Sequence, residues 1–84
     1  MAHVKIYTTN SCPYCFQAKE LLTRKAVAFE EVDVTGDPKT RAWLATATGR
    51  RTVPQVFIDG KPVGGCDDLH DLDDAGELDK LLAG

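Results

Sequence analysis

Two cysteines separated by two residues, Cys12 and Cys15, are the residues of this sequence best suited to covalent chemistry. Such a pair can close a disulfide bond and open it again by exchange with another thiol. The pair follows a short alternating run of apolar residues and precedes a helical pattern, which places Cys12 at a helix N-terminus. Unpaired backbone N–H groups and the helix dipole stabilise a thiolate at that position. The spacing therefore predicts a redox dithiol with Cys12 as the nucleophile.

Two other uses of the pair, a zinc site and a structural disulfide, need different surroundings. Zinc needs about four ligands, and the remaining candidates are Cys66, His3, His70 and scattered carboxylates. Three cysteines cannot all pair, so a reducing compartment is the better inference. The chain also starts directly with a strand pattern instead of a basic and apolar leader. We expect a cytoplasmic protein with no bound metal.

The composition is typical of a globular protein, with 43% apolar and 27% charged residues in a chain of 84. This length predicts one domain, residues 1–84, and no apolar run is long enough to cross a membrane.

The charge is unevenly distributed along the chain. Residues 1–66 hold nine Lys and Arg against six Asp and Glu (+3), whereas residues 67–84 hold one against seven (−6). The basic excess is too diffuse for a nucleic-acid surface. A small ligand carrying both signs of charge suits a site between the two parts.

A strand and a helix are needed to position the cysteines. Alternating residues predict a strand of about five residues from Val4, and Pro13 suits the first position of a helix that ends near residues 23–25. A second alternating run covers residues 28–34. Strand, helix and strand within about thirty residues form a βαβ unit, so the two strands should be parallel and the crossover right-handed.

The second half of the chain carries strong boundary signals. Asp37 and Pro38 predict the start of a helix that ends at Gly49. A strand at 55–58 is followed by Asp59-Gly60, which indicates a hairpin, and the returning strand belongs at a sheet edge because it contains a proline. A last helical region begins at residue 66 and should break at Gly76.

Three separated motifs then coincide: Cys12-Pro13-Tyr14-Cys15, Thr52-Val53-Pro54, and the run Gly64-Gly65-Cys66-Asp67-Asp68. In this order they resemble the glutaredoxin family, and the resemblance covers essentially the whole chain. It implies an α/β, thioredoxin-like fold with a four-stranded mixed sheet in the order 2-1-3-4 and helices on both faces. It also implies a cis peptide bond before Pro54.

The resemblance implies a glutathione-dependent thiol–disulfide oxidoreductase in which Cys12 and Cys15 are catalytic. Glutathione would be a co-substrate and no cofactor would be tightly bound. The other partners would be proteins that contain disulfides or carry glutathione, and we expect a monomer without nucleic-acid or membrane partners.

The glutathione-binding residues implied by the resemblance lie in four segments. The Val53 backbone would bridge to the cysteine of glutathione, and the start of the last helix would hold its γ-glutamyl end. Arg41 would meet the glycine carboxylate, with Arg50 and Arg51 as alternatives. The full set is Tyr14, Arg41, Thr52, Val53, Pro54, Gly65, Cys66, Asp67 and Asp68. Cys66 can also be read as a small packing residue or as a secondary site of glutathionylation.

One residue departs from the family pattern and keeps other functions open. Thr9 stands where the family commonly has a lysine. Loss of that cation favours weaker glutathione binding unless neighbouring arginines compensate. A glutaredoxin-like donor reduced by thioredoxin reductase is therefore one alternative. A glutathione-ligated iron–sulfur carrier is another, although Pro13 and Tyr14 replace the smaller, glycine-containing motif usual in the cluster-binding members.

Overall fold

The structure is a computed structural model that describes residues 2–83. These residues form four strands and four helices. In chain order they are β1 (Val4–Thr8), α1 (Pro13–Arg24), β2 (Phe29–Asp33), α2 (Pro38–Thr48), β3 (Gln55–Ile58), β4 (Lys61–Gly64), α3 (Cys66–Asp74) and α4 (Glu77–Ala83). The predicted domain, 1–84, also takes in residues 1 and 84, which lie outside the described residues.

The strands form one mixed sheet in the order β2-β1-β3-β4. The pair β1 and β2 is parallel, whereas β3 is antiparallel to both β1 and β4. The predicted strand order and the predicted βαβ unit are therefore confirmed. Strand β2 is one residue shorter at each end than predicted, because Ala28 and Val34 fall outside the ladder. Val34 is nevertheless fully buried.

Helices cover both faces of the sheet, as predicted. Helices α1, α3 and α4 contribute apolar side chains to one core, and α2 contributes Leu44 to a second core on the other face. The first core contains Ala2, Val4, Ile6, Ala18, Leu21, Leu22, Val56, Ile58, Cys66, Leu69, Leu78 and Leu82. The second contains Tyr7, Val34, Leu44 and Phe57. Burial of these side chains is the main force that fixes the helices against the sheet.

The boundary residues act as the sequence indicates. The Asp37 carboxylate accepts a hydrogen bond from the Thr40 N–H and caps α2, and Gly49 ends that helix with a φ of 74°. Asp59 and Gly60 form the hairpin with φ values of 53° and 80°, and β4 lies at the sheet edge. Gly76 separates α3 from α4. Within residues 2–83, no helix has the length and apolar character needed to cross a membrane.

Candidate active site

The sheet brings three distant chain segments to one edge. Because β1 and β3 are antiparallel, Tyr7 near the end of β1 faces Gln55 at the start of β3. Because β3 and β4 are also antiparallel, Gly64 at the end of β4 faces Val56. The loop after β1, the loop before β3 and the start of α3 therefore meet there. These segments carry the three motifs noted in the sequence.

Cys12 and Cys15 occupy unequal positions at the start of α1. Cys12 is the N-cap residue, and its Sγ accepts a hydrogen bond from the Cys15 backbone N–H at 3.1 Å. The Cys12 sulfur is also 3.6 Å from the carbonyl oxygen of Val53. Cys12 is partly exposed, whereas Cys15 is 1% exposed. Cys12 therefore carries the more accessible of the two sulfurs.

The buried thiols are poorly ionised in this fold. Burial raises the pKa of Cys15 to about 12, and its hydrogen bond with Cys12 acts in the same direction. Burial likewise raises the pKa of Cys66, with the charges of Asp67 and Cys12 as smaller causes. Only a thiolate attacks a disulfide. Cys15 and Cys66 are therefore poorly suited to attack, and Cys12 is the partly exposed thiol that remains.

The peptide bond between Val53 and Pro54 is cis, as the resemblance implied. A cavity of about 230 Å³ lies beside this bond. It is lined by Tyr14, Arg50, Thr52, Val53, Pro54, Gly65, Cys66, Asp67 and Asp68. The fold thus brings together all of the predicted binding residues except Arg41, although they come from three separate segments.

The start of α3 forms one wall of this cavity. The Gly65 N–H donates to the Asp68 carboxylate at 2.9 Å, and the Arg50 guanidinium binds the same carboxylate. These contacts lower the pKa of Asp68, the Arg50 contact being the larger cause. Gly64 has a φ of 114°, and a Cβ built there would lie 2.5 Å from the Asp68 carboxylate. The Asp68 carboxylate is therefore already bound by other groups of the protein, whereas the Asp67 side chain is exposed on the cavity wall.

Arg41 is not brought to this cavity. Its guanidinium donates to the Arg51 carbonyl oxygen at 3.2 Å, beside a separate groove on α2. Arg50, just after the end of α2, lines the cavity instead. No local signal in the sequence predicts that Arg50 lines the cavity in place of Arg41, because the Arg50–Asp68 contact joins residues 18 positions apart. A role for Arg41 in binding stays a prediction.

Cys66 is buried at the first position of α3, with 6% of its surface exposed. Its sulfur lies 3.5 Å from His70 Nδ1 and 4.0 Å from Gln17 Oε1. The packing interpretation of Cys66 agrees with this burial. In the part of the chain that the structure describes, no cluster of three or more His, Cys, Asp or Glu side chains could hold a metal ion.

Known proteins with similar sequences are glutaredoxins. The family model described as Glutaredoxin matches residues 4–63. Glutaredoxin 3 of Escherichia coli (strain K12) is 51% identical over 82 residues, which cover 98% of this chain and 99% of that protein. A glutaredoxin of Pseudomonas aeruginosa (strain PAO1) is 55% identical over 83 residues and 99% of each chain.

Solved structures of the same kind match closely in fold. The crystal structure of a buckwheat glutaredoxin–glutathione complex has a TM-score of 0.93 at 29% identity and covers 98% of this chain and 77% of that one. The solution structure of glutaredoxin from Brucella melitensis has a TM-score of 0.88 at 51% identity and covers 98% and 89%.

The buried state of Cys15 predicts an unusual alkylation profile. In a variant carrying both Cys12→Ser and Cys66→Ser, Cys15 is the remaining thiol, and its burial, the largest cause of its raised pKa, is retained. Its reaction with iodoacetamide should accelerate about tenfold per pH unit from about pH 7 to 10 without a plateau. The same variant in urea should level off near pH 9, the ordinary range for cysteine. A plateau below pH 9 in the folded protein would contradict the assignment.

Proposed function

The chain belongs to the glutaredoxin family and is a thiol–disulfide oxidoreductase, and from this premise we propose that it uses glutathione as reductant. Its substrates would be protein disulfides and protein–glutathione mixed disulfides. The observation that carries the proposal is the cavity beside Cys12, which is lined by an available backbone segment at Val53 and by the start of α3.

The chemistry of the cavity is complementary to glutathione. The Val53 backbone would pair with the cysteine of the tripeptide, as in strand addition. The N-terminal N–H groups of α3 would bind the γ-glutamyl carboxylate, and Asp67 would bind its ammonium group. The buckwheat glutaredoxin solved with glutathione has nearly the same fold, which supports this proposal.

The glycine carboxylate of glutathione calls for a cation. Thr9 supplies none, but Arg50 lies on the cavity wall and is half exposed while bound to Asp68. We therefore propose that Arg50 and Arg41 attract the carboxylate through longer-range charge interactions instead of direct contact. This arrangement would compensate for the residue change at position 9.

In the two-thiol route, the Cys12 thiolate attacks one sulfur of a protein disulfide. A bond forms between Cys12 and that sulfur, and the other substrate sulfur leaves as a thiolate that takes up a proton. Cys15 then loses its proton and attacks Cys12 Sγ, which releases the second substrate thiol and closes the Cys12–Cys15 disulfide. Two glutathione molecules, oxidised to glutathione disulfide, return both cysteines to thiols.

In the one-thiol route, Cys12 attacks the glutathione sulfur of a protein–glutathione mixed disulfide. The protein leaves as a thiol, and glutathione stays bonded to Cys12 in the cavity. A second glutathione attacks this bond and leaves as glutathione disulfide, which restores the Cys12 thiol. Cys15 takes no part.

We also propose a cytoplasmic, monomeric enzyme formed as one domain from residues 1–84. The odd number of cysteines supports the location, because a reducing compartment keeps such thiols free. Glutathione, the proposed reductant, is present in the same compartment.

Thr9 favours one competing function, reduction by thioredoxin reductase. Turnover of one protein disulfide with glutathione and glutathione reductase, and separately with thioredoxin reductase, distinguishes the two. Indifference to glutathione would reject our proposal. Anaerobic reconstitution with iron and sulfide tests the third possibility, a cluster carrier, through iron content and visible absorbance.

Single substitutions of the two cysteines should separate the routes. Cys15→Ser should retain removal of glutathione from proteins within about threefold and lose protein disulfide reduction by at least about 100-fold. Cys12→Ser should lose both activities by at least about 1,000-fold, because the other two cysteines, Cys15 and Cys66, are buried. Full activity of the Cys12 variant in either assay would refute the mechanism.

Asp67 and Asp71 provide a matched pair on α3. Both side chains are exposed, but only Asp67 lines the cavity. Asp67→Asn should raise the KM for glutathionylated substrate about fivefold and leave kcat unchanged, because it removes one exposed charge contact of about 1 kcal/mol. Asp71→Asn should leave both parameters unchanged. Equal effects of the two substitutions would place the γ-glutamyl end elsewhere.

A further inference from the structure

The two-thiol route depends on a step that burial opposes. Cys15 must lose its proton before it attacks Cys12, although it is 1% exposed and burial raises its pKa. The backbone N–H of Thr9 and the charge of Lys19 both act in the opposite direction and favour the thiolate. The position of Lys19 is therefore relevant to the rate of this step.

Lys19 is held at a fixed place near Cys15. It lies four residues after Cys15 in α1, so the two side chains share one face of the helix. Its ammonium group is 2.9 Å from the Glu31 carboxylate on β2. The Thr8 hydroxyl donates to the same carboxylate oxygen at 2.7 Å, and Thr8 is itself buried at the end of β1. These contacts restrict a side chain that is only 32% exposed.

The other charged groups around this site do not replace Lys19. On β2, the Glu31 carboxylate lies 2.9 Å from the Lys19 ammonium group, and the charge of Lys19 also acts on Asp33. The Cys12 thiol acts on Cys15 and opposes its ionisation. On α3, Cys66 is a buried thiol that interacts with Cys12. Within residues 2–83, Lys19 is the cation that acts on the Cys15 sulfur.

We propose that Lys19, fixed by Glu31 and Thr8, is a positioning residue that stabilises the Cys15 thiolate during its attack on Cys12. In this step the Cys15 proton goes to solvent and a bond forms between the two cysteine sulfurs. The bond between Cys12 and the substrate sulfur breaks, and the substrate leaves as a thiolate that is protonated by water. Lys19 neither donates nor accepts electrons in this step. The proposal rests on the two-thiol route but not on glutathione as the reductant.

The step can be isolated with 5,5′-dithiobis(2-nitrobenzoate) and no glutathione. Attack by Cys12 releases one coloured thiolate at a rate that depends on reagent concentration, and attack by Cys15 then releases a second at a rate that does not. A Cys66→Ser background removes the third thiol. Stopped-flow absorbance from about pH 6 to 9 records both phases.

Lys19→Gln should slow the second phase about threefold across this range and leave the first phase unchanged. The variant should lower the ionised fraction of Cys15 about tenfold. The factor in rate is only about threefold, because the thiolate of a less acidic thiol is more nucleophilic and offsets part of that loss. Lys19→Arg should restore the rate, since it keeps the charge. Arg24→Gln, which removes a cation from the last turn of the same helix, should have no effect.

Three results would overturn the proposal. One is a second phase in Lys19→Gln that superposes on that of the parent protein. Another is a Lys19→Arg variant as slow as Lys19→Gln, which would indicate a role in packing. The last is an equal slowing of both phases with a lower melting temperature. Because glutathione is absent, none of them bears on the proposed reductant.

Discussion

The first turn of α1 holds two sulfurs in different surroundings, one within reach of solvent and one inside the core. Pro13 and the N-cap conformation of Cys12 direct the first sulfur toward Val53, while the helical spacing turns Cys15 under the helix. The two-thiol route needs this difference in exposure, because one thiol must contact a bulky substrate and the other must attack only after the mixed disulfide has formed. The remaining structure either keeps Cys15 buried or brings groups to Cys12.

The sheet order explains how so small a chain forms a binding cavity. Two successive antiparallel pairings return β3 and β4 to the edge where β1 ends. Residues 52–54 and 65–68 therefore meet the first turn of α1 without a long loop. The Arg50–Asp68 pair ties the end of α2 to the start of α3 and closes one side of the cavity. The lining combines apolar residues such as Val53 and Pro54 with the charged Arg50 and Asp67, which suits a small ligand that has both apolar and charged parts.

Local signals predicted most of the fold, because capping and turn residues act through their near neighbours. Asp37, Gly49 and Gly76 mark element boundaries that the structure reproduces. The three motifs also identified most of the cavity lining. One contact between distant segments, that of Arg50 with Asp68, was not predictable: the sequence favoured Arg41 over Arg50, since nothing local reveals the partner of Asp68. The raised pKa of Cys15 likewise follows from tertiary burial, which spacing alone does not specify.

Nuclear magnetic resonance can show whether glutathione occupies the cavity beside Cys12. Isotope-labelled Cys15→Ser protein treated with glutathione disulfide should retain one glutathione on Cys12. The largest amide shift changes should fall on residues that line the cavity, namely Tyr14, Val53, Gly65 and Asp67. A mixed disulfide that leaves these amides unmoved, or changes confined to the groove beside Arg41, would contradict it.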